Sequence, residues 1–72
     1  MGRTWAQEKA YCAKRAAELA VKMESAIEAV DQLAFRAAYD TATRYTTRRQ
    51  LAGYFRLFLE AKIKQEGEDN DR

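Results

Sequence analysis

Histidine and proline are absent from the 72-residue chain, cysteine occurs once and glycine three times. Each gap removes a class of chemistry or structure. Without histidine, no side chain has an ordinary pKa suited to acid–base work near neutrality. The lone Cys12 can neither close an intrachain disulfide nor complete a four-ligand zinc site. A single unpaired thiol fits a reducing compartment, so the expected location is the cytoplasm. No proline breaks the chain, and Gly53 is the one glycine between Gly2 and Gly67. No stretch alternates as a strand does, and no apolar run approaches a membrane span. The opening Met1-Gly2-Arg3-Thr4-Trp5 leads into charged residues rather than a signal core. Ala6 stands where a myristoylation pattern has Ser or Thr. No metal, cofactor or membrane partner is expected.

What the chain has in plenty is alanine, fourteen residues of it, in a composition that favours helix. The fold class is therefore all-α. Thr4 and Gln7 have the spacing of a capping box and open a first helix over about residues 5–39. Its seam runs through Trp5, Cys12, Ala16, Leu19, Met23, Ala26, Val30, Leu33 and Ala37. The threonine-rich stretch Asp40-Thr41-Ala42-Thr43-Arg44-Tyr45-Thr46-Thr47 reads as a turn over about 40–47. Thr47 and Gln50 repeat the capping-box spacing, so a second helix is expected over about 48–66. Gly67 is its expected stop, with residues 67–72 as a disordered acidic tail.

The second helix is unusually apolar. Nine of the thirteen residues from Leu51 to Ile63 are apolar, and on a helical wheel they cover roughly 240°, well beyond the ~100° stripe of a surface helix. One alanine-rich neighbour cannot cover that arc. So short a chain is also marginal on its own, and with disulfides and metals set aside a second subunit is the expected source of stability. The sequence thus predicts a two-helix antiparallel hairpin that dimerises into a four-helix-bundle-like assembly, with Leu51, Phe55, Phe58 and Leu59 as the dimer core. In architecture alone this resembles the helical-hairpin dimers that include a plasmid-encoded RNA-binding regulator; no motif is shared, and no function is implied.

Net charge is only +2, but it is unevenly spread: residues 36–56 carry Arg36, Asp40, Arg44, Arg48, Arg49 and Arg56, while four acids and Arg72 follow Gln65. Candidate chemistry is sparse. Glu24, Glu28 and Asp31 read as a solvated acidic face, and Cys12 as an inert thiol on the seam. The cluster Arg44, Tyr45, Arg48 and Arg49, with its threonines, suits contacts to phosphate or to an acidic partner. Phe35 and Tyr39 lie one turn apart and off the seam, with Arg36 beside them, as an exposed aromatic pair of the kind protein interfaces use; cover by the second helix or a dimer mate is the competing reading. The chain is expected to be no enzyme. It reads as a regulator that binds and inhibits another protein, of the kind phages and plasmids direct at host transcription regulators or defence complexes, with Phe35, Arg36 and Tyr39 as the partner-binding surface. A nucleic-acid-binding regulator using the arginine cluster is the runner-up, and a helical assembly or scaffold subunit the third reading.

Overall fold

The computed structural model describes residues 2–70 and is all-helical, with three helices rather than two: α1 (Trp5–Ala29), α2 (Gln32–Ala42) and α3 (Arg48–Asn70). The predicted start of α1 holds. The Thr4 hydroxyl accepts the Gln7 N–H at 3.2 Å, and the Gln7 side-chain oxygen accepts the Thr4 N–H at 3.0 Å.

The expected helix over 5–39 does not run through. Val30 adopts the left-handed region at φ 48°, ψ 44°. The Val30 N–H donates to the Ile27 carbonyl at 3.1 Å and the Asp31 N–H to that of Ala26 at 2.9 Å, the paired bonds that close a helix at its C-terminus. Asp31 is then extended, and its carboxylate accepts the Ala34 N–H at 3.1 Å, capping α2. The residue types at the break itself do not mark it. The left-handed position holds a β-branched residue instead of glycine, and no Glu or Gln at position 34 completes a capping box.

Threonines end α2. Thr41 and Thr43 hydroxyls donate back to the carbonyls of Ala37 (2.9 Å) and Asp40 (2.6 Å), the competition with backbone bonding that makes threonine a poor helix former. The turn spans 43–47, inside the expected 40–47. The capping box expected of Thr47 and Gln50 then forms at 3.3 Å in both directions. α3 outruns its expected end near 66: it passes through Gly67, which keeps a negative φ, and continues to Asn70. An exposed helical glycine costs about 1 kcal/mol but need not stop a helix. Of the tail expected over 67–72, Asp71 and Arg72 lie outside the described residues.

The helices run up, down and up. Leu19, Met23 and Ala26 of α1 meet Phe35, Ala38 and Ala42 of α2 and Leu51 and Phe58 of α3 in one buried cluster. Phe35 and Phe58 stack with ring centres 4.5 Å apart and planes within 12°. Leu51 and Phe58, expected to await a second subunit, are buried by a single chain. The break at Val30 explains the change of partners. It rotates the chain, so the buried phase moves from the α1 seam to Phe35, Ala38 and Ala42, and Leu33 is left largely exposed. The molecule is long and thin, 61 × 18 × 13 Å, with a radius of gyration of 15.2 Å against about 11 Å for a compact chain of this size.

Candidate functional site

Three alanines sit among the eight core residues, and so small a core leaves large apolar side chains outside it. Their positions and the charges around them define two surfaces on opposite sides of α3.

The first lies between α2 and α3, a groove of about 370 Å³ with Phe35 and Phe58 at its floor and Tyr39, Phe55, Leu59 and Lys62 on its walls. Phe35 is 3% exposed, which corrects its expected place in an exposed aromatic pair. Tyr39 is half-buried, its ring 5.9 Å from Phe35 and 5.9 Å from Phe55. Arg36 is exposed on the rim and pairs with Asp40 at 3.5 Å. The predicted trio is therefore split into one core residue, one wall residue and one rim residue. Of the predicted dimer core, Phe55 (47%) and Leu59 (43%) stay open to solvent. With Ala52 and Ile63 they form a row at helical spacing along the α2 side of α3.

The second surface is the end of the bundle that carries the 43–47 turn. Tyr45 stands edge-on to Tyr11 of α1, ring centres 6.1 Å apart. The Arg3 guanidinium lies 4.2 Å from the Tyr11 ring and that of Arg15 5.7 Å from the Tyr45 ring. A 2.6 Å bond to Glu18, then a contact with the Tyr45 hydroxyl, push the Arg15 pKa further up, so this cation is fixed. Trp5, Lys9, Cys12, Tyr45 and Gln50 border a hollow of about 390 Å³ between α1 and α3. Trp5 is 82% exposed at its edge, and the exposed Arg44 and Arg49 adjoin Tyr45 and Gln50 in the chain. The predicted cluster is thus divided: Tyr45 is half-buried as the hinge of an aromatic ladder, Arg44 and Arg49 are free to solvent, and Arg48 points along the α3 row. Trp5, Lys9 and Gln50 were missed as site residues. Trp5 sits in phase with the α1 seam, and nothing in its spacing reveals that α1 overhangs the core there.

Among the described residues, no cysteine, aspartate and glutamate side chains gather into a metal-ligating group, and no helix is long and apolar enough to cross a membrane. No buried side-chain polar atom among them lacks a hydrogen-bond partner. The chain matches no protein family model, and comparison with curated proteins and with solved structures gave no match.

Proposed function

We propose that the chain is a non-enzymatic regulatory protein, working as a homodimer, that binds an acidic surface of another protein with the end of the bundle carrying Trp5, Arg44 and Arg49 and thereby inhibits it. The observation that carries the reading is the make-up of that end. An almost fully exposed tryptophan borders a hollow lined by Glu8, Lys9, Tyr45 and Gln50, and the exposed Arg44 and Arg49 are the chain neighbours of Tyr45 and Gln50 in that lining. Tryptophan, tyrosine and arginine are the residues that anchor protein interfaces. Exposed cations of one sign steer an acidic partner toward them. Tyr11 and Tyr45 are spent on each other and on Arg3 and Arg15, so Trp5 alone offers an open ring at this end, whereas single-stranded nucleic acid stacks successive bases on several rings.

The three arginines of residues 44–49 support a second reading, phosphate contacts to nucleic acid. One experiment separates the two. The tagged chain is passed through native lysate, with and without nuclease treatment, beside a variant with Arg44→Ala and Arg49→Ala. Capture of one protein at fixed stoichiometry by the parent and its loss in the variant is the expected result. Capture that nuclease abolishes gives the nucleic-acid reading, and undiminished capture by the variant removes the basic end from the function.

A further inference from the structure

The row Ala52, Phe55, Leu59 and Ile63 on α3 is an apolar stripe left open to solvent by a single chain. The solvent-accessible surface of the chain is 5950 Å², against about 4,600 Å² for a folded monomer of this mass. The excess belongs to the whole elongated chain, and the row, with Phe55, Leu59 and Ile63 each 43–67% exposed, is part of it.

The charges at the ends of the row say what covers it. Arg48 begins α3, and Glu66 lies in its last turns, both on the same stripe as Phe55 and Leu59. Both are exposed, and neither has an ion-pair partner among the described residues. Each also sits at the wrong end of its own helix. A cation at a helix N-terminus and an anion toward the C-terminus oppose the helix dipole, and α3 has no acid in its first turn and no base in its last.

We propose that a second copy of this chain covers the row, its α3 antiparallel to the first about a two-fold axis at the level of residue 57. This rests on the homodimer of the preceding reading and specifies its surface and register. The stripe Arg48, Ala52, Phe55, Leu59, Lys62 and Glu66 is symmetric about that level. Antiparallel pairing sets Phe55 against Leu59 of the second copy, Ala52 against the stem of its Lys62, and Arg48 against its Glu66, each contact made twice, as an isologous interface requires. The unfavourable helix-end charges are then neutralised by the opposite end of the neighbouring helix. A parallel pair would instead set Arg48 beside Arg48 and Glu66 beside Glu66, and like charges across an interface select against that arrangement. The groove beside the row, walled by Tyr39 and rimmed by Arg36, receives the second copy's Phe55 and Leu59.

The test is a charge swap followed by sedimentation equilibrium and a helicity melt. The parent sediments at twice the chain mass. Arg48→Glu and Glu66→Arg each weaken the dimer roughly tenfold, because two exposed attractive pairs become two repulsive ones. The chain carrying both changes regains the parent's dimer affinity. Each single swap places a favourable charge at its own helix end, so monomer helicity does not fall, which separates an interface role from a structural one. Leu59→Asp gives a helical monomer. A dimer indifferent to the single swaps, or one that the double swap weakens further, overturns the register while leaving the homodimer standing. A helical monomer from the parent chain at high micromolar concentration overturns both.

Discussion

Phe35 makes the closest ring-to-ring contact among the described residues, its centre 4.5 Å from that of Phe58, and is 3% exposed. Removing its ring opens a cavity where α2 and α3 meet, and such a change costs about 3–5 kcal/mol. That is a large share of the roughly 4–11 kcal/mol a chain of this length holds. Phe35→Ala should therefore collapse the thermal transition; a melting temperature within a few degrees of the parent would put the ring back on the surface. The sequence placed Phe35 next to Tyr39 and Arg36 correctly but on the wrong side, because the helical phase was carried unbroken past Val30. The signal was present. Phe35, Ala38 and Ala42 repeat at three- and four-residue steps, out of register with Leu19, Met23 and Ala26, and two registers on one predicted helix imply a break between them. At the basic turn the balance is different. Arg44 and Arg49 are exposed and touch nothing structural, so changing both to alanine should alter stability by no more than about 0.5 kcal/mol per site, as a denaturant titration would show.

At the scale of elements, the connection between α1 and α2 turns on one residue. Val30 holds a left-handed conformation that costs a non-glycine residue roughly 1–2 kcal/mol. Its half-buried side chain packs against the core and offsets part of that. Val30→Gly relieves the backbone and loses the packing, so the outcome should lie within about 1 kcal/mol of neutral. Were residues 5–39 one helix, the same change would place glycine in a helix interior and delete a seam residue, for a loss of about 2–3 kcal/mol. A chemical melt of this variant distinguishes the two. The ends marked by capping boxes, at Thr4 and Thr47, were legible because hydroxyl and amide sit three residues apart in the sequence. The end at Val30 was not, because its bonds are backbone to backbone and leave no mark on residue type.

Across the whole molecule, two exposed surfaces lie on opposite sides of α3: the apolar row toward α2, and the hollow with Trp5, Lys9 and Gln50 toward α1. The wide apolar arc of residues 51–63 calls for cover from several sides. The structure supplies part of that cover from within, through Phe35 of α2 stacked on Phe58, and leaves Phe55 and Leu59 partly uncovered. Which apolar residues remained outside depended on the third helix, which the sequence had not resolved. Separation of the two surfaces has a consequence for assembly. The proposed pairing through the row would leave the hollow of each copy open, so partner capture and self-association would not compete. The central claim, a dimer that binds a protein through its basic ends, is tested most directly by native mass spectrometry of the captured complex. Two copies of the 8.3 kDa chain in every complex, with the partner on one or both, is the predicted result. A complex holding a single copy would contradict it.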